Sequence, residues 1–457
     1  MSTSVRGANY RNDSLMIGFS DLRKLSSERP LVITGGRGVF VIDERGRDYI
    51  EAVSSFYCAA LGFSEEELVE AAIRQMRALP FYPSASHRTV PVVMELAEKL
   101  QAIAPMPKAR VAFATTGSEA NDSLIKFLWY ANGYAGKPKR RKVITRYGSY
   151  HGGTIAMTAL GGGTALHKSF GVPTEDCIYV SHPTGAQPGE SEDAYADRLA
   201  EEVRRAIEKA GPETVGAFFA EPISTAAGWS VPPKDYFRKI KQVCDGYGVR
   251  FFLDEVVTGF GRTGHMWGAQ AFGVTPDCVT SAKGMSSAYQ PISAVLMSED
   301  FYAGLEKGSD ENGWFAHSGT YHAHPVPAAV ALKTMEIFEK RQIVRQVNTL
   351  LPAWQKAIRA LEDHPLVTTT RNFGLGGAVE FKRTAEQLEG NISSLKVAGT
   401  AKQVYEAGLD CGILTRPLDR CLVLAPPLVI TEAEIGELFR RLRRAMDMVL
   451  ASTKSAA

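Results

Sequence analysis

Seven short apolar runs recur through the middle of the chain, at residues 110–114, 142–145, 177–180, 215–220, 250–253, 278–281 and 293–297. Helical stretches at 92–104, 118–132, 194–210 and 234–247 are interleaved with them. Strands that are apolar on both faces need cover on both faces, and crossover helices supply it when most of the strands run parallel. The expectation is therefore an α/β fold with a mostly parallel central sheet.

The two ends are patterned differently. Residues 38–43 and 48–50 read as two strands joined by a polar, glycine-containing turn, an antiparallel hairpin. Beyond residue 330 come helical stretches at 328–341 and 350–363, a few strand-like runs, and a last helix opened by Thr431-Glu432-Ala433-Glu434, which has capping-box form. A chain of 457 residues exceeds a single core. The pattern predicts a large domain over 63–329 and a smaller α+β domain built from 1–62 and 330–457.

Charge and cysteine content narrow the function classes. Lys plus Arg (52) nearly cancels Asp plus Glu (50), so nothing in the net charge of +2 favours nucleic acid or an anionic membrane as partner. The six cysteines show neither metal-ligand spacing nor a dense disulfide pattern, and they read as reduced thiols with no metal site. Residues 1–13 lack the apolar core of a signal peptide, and no stretch approaches the roughly 20 apolar residues of a membrane span. A cytoplasmic protein is the expectation.

Four segments carry chemistry. Phe252-Leu253-Asp254-Glu255 runs into the glycine-rich loop Thr258-Gly259-Phe260-Gly261-Arg262-Thr263-Gly264. In an open parallel sheet ligands sit beyond the carboxyl ends of strands, which points Asp254 at a site; for one such acid alone, a turn cap or a structural ion pair is the commoner role. Thr280-Ser281-Ala282-Lys283 places a lysine after the next apolar run. Desolvation lowers a lysine's pKa and frees its amine for a Schiff base, although an isolated lysine is ordinarily surface. Together the two residues match what a pyridoxal phosphate site needs: the lysine to hold the aldehyde, the acid to keep the pyridine nitrogen protonated. Thr115-Thr116-Gly117-Ser118-Glu119-Ala120-Asn121-Asp122 opens a helix whose first N–H groups, at Gly117 and Ser118, suit a phosphate, or form only a cap. Tyr147-Gly148-Ser149-Tyr150-His151-Gly152-Gly153 sets an aromatic among small residues, suited to stacking a flat ring or to core packing. The histidines, His151 and His324 included, form no cluster and read as structural.

In this order and spacing, from about residue 38 to 445, the segments resemble the class III (ω-) aminotransferases, pyridoxal 5′-phosphate enzymes of fold type I. With Leu79-Pro80-Phe81-Tyr82, they look closest to the branch that uses pyruvate as amino acceptor. The resemblance implies that Lys283 forms the Schiff base and moves the proton, and that Asp254 binds the pyridine nitrogen. Tyr150 and Val256 would lie on opposite faces of the ring, and Gly117 and Ser118 would hold the phosphate. Thr320 would reach the phosphate of a neighbouring subunit, so a homodimer with shared sites is implied, with tetramers left open. Glu221 matches a glutamate near the cofactor whose role varies. Arg416 matches the arginine that pairs with a substrate carboxylate and swings away for amines without one. Phe56, Tyr57, Phe81, Ala226 and Gly319 match pocket positions. Gly319 replaces an aromatic of many relatives, which predicts a pocket opened on the partner-subunit side, and Ala227 replaces a common glycine. The activity implied is transfer of an amino group from a primary amine or ω-amino acid to pyruvate, giving alanine by a ping-pong route. An aminomutase, racemase or decarboxylase on the same scaffold, and 2-oxoglutarate as acceptor, are the alternatives.

Overall fold

The computed structural model describes residues 14–25, 27–382 and 399–455. Near the N-terminus β1 (Ile33–Arg37), β2 (Phe40–Asp43) and β3 (Asp48–Glu51) form an antiparallel meander. The expected hairpin is its second half; the first strand lay unread in a glycine-containing run.

The seven apolar runs are seven strands of one sheet: β4 (Arg110–Ala114), β5 (Lys142–Arg146), β6 (Cys177–Val180), β7 (Val215–Ala220), β8 (Arg250–Asp254), β9 (Cys278–Ser281) and β10 (Ser293–Met297). Their order is β4-β10-β9-β8-β7-β5-β6, and only β10 runs against its neighbours. Burial follows from the pleat. On adjacent β7 and β8, Phe218 pairs with Phe251 and Phe219 with Phe252, all four with no exposed surface. Phe251 packs on Phe237 of the helix Tyr236–Tyr247 at 6.2 Å on one face, and Phe252 on Phe301 of the helix Glu299–Asn312 at 5.5 Å on the other. Truncating one such ring to alanine costs about 3–5 kcal/mol.

Towards the C-terminus, β11 (Val367–Asn372), β12 (Gly377–Phe381), β14 (Arg416–Leu418) and β15 (Cys421–Leu424) make a four-stranded antiparallel sheet. The short β13 (Ile413–Leu414) instead joins the N-terminal meander, parallel to β3. This pairing ties the two ends of the chain together immediately before Arg416. The final helix, Glu432–Ser455, starts as its capping box requires: Glu434 N–H donates to Thr431 Oγ1 at 3.2 Å, and Glu434 Oε2 accepts from Thr431 N–H at 2.8 Å. The helix expected from residue 350 begins earlier and runs Ile343–Arg359, with Pro352 inside it. Among the described residues no helix is long and apolar enough to cross a membrane, and no cluster could hold a metal ion.

Candidate active site

Five strands of the parallel set end at one cavity of about 280 Å³, so residues far apart in sequence converge there. Asp254 is the last residue of β8 and is buried. Its Oδ2 accepts from Asn121 Nδ2 at 3.0 Å and lies 2.9 Å from His151 Nδ1; its Oδ1 accepts from the Val256 N–H at 3.0 Å. Three partners on one carboxylate fix its orientation at the strand end.

His151 is the residue that ties this site together. Its ring stacks on Phe219 at 4.6 Å, and its Nε2 stands 4.0 Å from Glu221 Oε2. Glu221 follows β7. Its Oε1 accepts from Tyr150 N–H at 3.2 Å and Ser224 Oγ at 3.0 Å, while Arg146, last residue of β5, donates to Glu221 Oε2 at 3.1 Å and to its carbonyl at 2.6 Å. Burial alone would raise the Glu221 pKa, but the neighbouring His151 and Arg146 outweigh it and hold the carboxyl below its ordinary value. Acid and base thus alternate through Arg146, Glu221, His151 and Asp254 behind the cavity.

Lys283 follows β9, at φ 46°, in a 3₁₀ turn over Lys283–Met285. Left-handed backbone at a non-glycine residue costs of order 1–3 kcal/mol and persists only where packing imposes it. Burial pushes the Lys283 amine below its ordinary pKa, the direction that favours a free nucleophile. At the other end of the cavity, Thr116 caps the helix Gly117–Tyr134 in a full capping box with Glu119. Gly117 sits against Val256, where a Cβ would come within 3.0 Å of Cγ2; at Gly152, with φ 146°, a Cβ would collide with Ser118. Gly153 N–H donates to Ser118 Oγ at 3.1 Å. Small residues here keep a cradle open at a helix N-terminus, as an anion requires.

The outer wall is aromatic. The Arg416 guanidinium lies 5.0 Å from the Phe56 ring centre and 5.6 Å from that of Tyr57, and its Nη1 is 3.4 Å from the Tyr57 hydroxyl. Ser54, Ser55, Phe56 and Tyr57 form a single left-handed turn, with φ of 49°, 49°, 63° and 69°. Each such residue costs about 1–2 kcal/mol relative to right-handed backbone, so contacts elsewhere must hold the turn.

Of the sequence candidates, Lys283, Asp254, Tyr150, Gly117, Ser118, Val256, Glu221, Arg416, Phe56, Tyr57 and Ala226 line this one cavity. Phe81, Gly319 and Thr320 do not. Phe81 packs instead against Tyr321 (5.8 Å) and His324 (5.3 Å). At Gly319 the N–H donates to His322 Nδ1 at 3.0 Å, and a Cβ there would run into that imidazole. His324, read as structural, caps the helix Pro325–Lys340 by accepting from Val326 N–H. Asn121, Arg146 and Phe19 were missed. Asn121 sits inside a recognised motif, where helical spacing could have flagged it; Arg146 ends an apolar run with no local sign of a distant partner. Phe19, 6.4 Å from Phe56, comes from a segment with no pattern.

A sequence profile of the Aminotransferase class-III family matches residues 24–446. The chain is a class III aminotransferase. It is 36% identical over 442 residues, 95% of its length and 88% of the relative's, to the probable gamma-aminobutyrate transaminase 2, mitochondrial, of Oryza sativa subsp. indica. It is 38% identical over 415 residues, 90% of its length and 80% of the relative's, to gamma aminobutyrate transaminase 1, mitochondrial, of Solanum lycopersicum. Among solved structures, the omega transaminase from Pseudomonas jessenii in complex with PMP matches with a TM-score of 0.91 at 37% identity, over 95% of this chain and 96% of that one. A transaminase with L-ala matches with a TM-score of 0.88 at 38% identity, over 93% and 100%. The fold is therefore the pyridoxal phosphate type I fold, and the aminotransferase depends on pyridoxal 5′-phosphate.

The residues present fit that cofactor: a glycine cradle that a Cβ would close, an anchored carboxylate, and a partly buried lysine between them. When bound, it supplies an aldehyde that condenses with amines and a ring that draws electrons from the substrate carbon. Lys283 would hold it and carry a proton at Nζ. Asp254 would face its ring nitrogen, held in orientation by Asn121, His151 and the Val256 N–H. Tyr150 and Val256 would bracket the ring, and Gly117 and Ser118 would take the phosphate.

Proposed function

We propose that this aminotransferase moves an amino group from a primary amine or ω-amino acid to pyruvate, releasing alanine. Arg416 carries the reading. A guanidinium over two aromatic rings gains about 0.5–2 kcal/mol from them, whereas a charge-assisted bond to a carboxylate is worth about 1.5–3 kcal/mol. A keto acid therefore draws Arg416 into the cavity, and a donor without a carboxylate leaves it stacked on Phe56 and Tyr57. One cavity then serves both half-reactions. The likeness to omega transaminases, one of them solved with L-ala, supports an amine donor and a pyruvate–alanine pair; the gamma-aminobutyrate transaminase relatives support an ω-amino acid donor. We further read the enzyme as a cytoplasmic homodimer whose segment around Phe81, Gly319 and Thr320 faces the partner's site.

Visible spectroscopy of the purified holoenzyme tests this. 1-Phenylethylamine or β-alanine is expected to bleach the yellow band, and pyruvate to restore it with formation of an equivalent of alanine. A band restored by 2-oxoglutarate alone would replace the acceptor, and a band indifferent to every amine would overturn the proposal.

A further inference from the structure

The glycine-rich loop after Asp254 contains a buried cation that the proposed reaction does not use. Arg262 is 3% exposed, and burial lowers its pKa to about 9. Its guanidinium has three acceptors, none of them a carboxylate. Nη1 donates to the carbonyls of Leu375 at 2.8 Å and Pro426 at 2.7 Å, and Nη2 donates to Ser54 Oγ at 3.3 Å. Ser54 in turn donates to the carbonyl of Ala425. Ser54 opens the left-handed turn that carries Phe56 and Tyr57, and Ala52, two residues before it, is bonded to both Leu414 and Ala425. Arg262 is thus the point where the loop from the cofactor acid, the N-terminal turn and the chain following β15 are held together.

We propose that Arg262, acting through Ser54, is a positioning residue that fixes the left-handed turn Ser54–Tyr57 and so sets how tightly the wall of Phe56, Tyr57 and Arg416 grips the amine donor. It touches neither donor nor cofactor. Its planar fork reaches three acceptors in two directions, which a lysine ammonium on a single stem does not reproduce. A cation without a counter-ion suits this task, because a carboxylate partner would compete with the neutral oxygens that the clasp must hold.

The inference rests on the amine transaminase reading, so bleaching of the wild-type band by 1-phenylethylamine is measured first; failure there sinks that reading. In Arg262→Lys, the amine concentration giving half-maximal bleaching rate is expected to rise about tenfold while the limiting rate stays within about twofold. Ser54→Ala removes the acceptor of Nη2 while the cation keeps its two carbonyl bonds, and is expected to raise the same concentration about three- to fivefold; it decides the matter should the Arg262 variant not fold. An unchanged half-maximal concentration, or a limiting rate that falls in step with it, would overturn the proposal. A crystal structure of Ser54→Ala tests the clasp without any substrate. Residues 54–57 are expected to leave the left-handed region, and a turn that keeps its φ values overturns the proposal.

Discussion

The two ends of the cavity are held in place by opposite means. At the sheet end, Asp254, His151, Glu221 and Arg146 are buried polar groups that fix one another, on backbone that continues directly from parallel strands. At the outer wall, Phe56 is half exposed, and the backbone beneath it runs through four consecutive strained residues held by a few hydrogen bonds and no carboxylate. Buried charge pairs in low dielectric are costly to disturb, which suits a cofactor that must keep one orientation. A strained turn held by a few hydrogen bonds is cheaper to remodel, which suits a wall that must discriminate donors.

Breaking the charged end should have the largest effect. Asp254→Asn keeps the shape but turns a donor toward Asn121, His151 or the Val256 N–H and removes the charge. The rate of amine-induced bleaching is expected to fall by at least about 100-fold in stopped-flow measurements, and a loss under tenfold would show that the neighbours, not the charge, do the work. The wall responds more mildly, through its own buried acid. Glu51 Oε1 accepts from the Val53 N–H at 3.1 Å just before the strained turn, and burial raises its pKa from 4.5 to about 7. A carboxyl raised in the fold contributes stability that is full below about pH 4.5 and lost as pH rises through about 7. Glu255, also raised to about 7 by burial, adds to the same slope. Glu51→Gln keeps the acceptor and removes its titration. The fall in melting temperature between about pH 5 and about pH 8 should flatten by roughly half, with a gain of about 1–3 kcal/mol at the upper end; an unchanged slope would remove Glu51 from the account of the turn. The smallest effect sharpens the contrast: Ser55→Gly, at φ 49°, should raise the chemical-denaturation midpoint by the equivalent of about 1 kcal/mol. Destabilisation there would mean that the turn is not strained.

Much of the sheet was legible because its signal is local. Each of the seven apolar runs became a strand, with ends moved by one residue at Arg146 and Asp254, since a mostly apolar run of four to six residues reports burial on both faces. Lys283, Asp254 and Tyr150 were legible for the same reason, each standing at or just beyond a strand end within a short motif. The antiparallel sense of β10 was not, because strand direction depends on which neighbours a strand meets. Nor was His151 as the link between Asp254 and Glu221: a histidine's role is set by what lies across from it, and its partners are 70 and 103 positions away.

Residue order alone thus established the alternating architecture, the family resemblance and the lysine–acid pair, because periodicity and strand-end position are properties of neighbouring residues. Folding decided the rest: the chain of polar contacts behind Asp254, the imidazole packed against Gly319, and the left-handed turn clasped by Arg262. Those depend on long-range pairs whose geometry exists only once strands, loops and both ends of the chain have been brought within hydrogen-bonding distance.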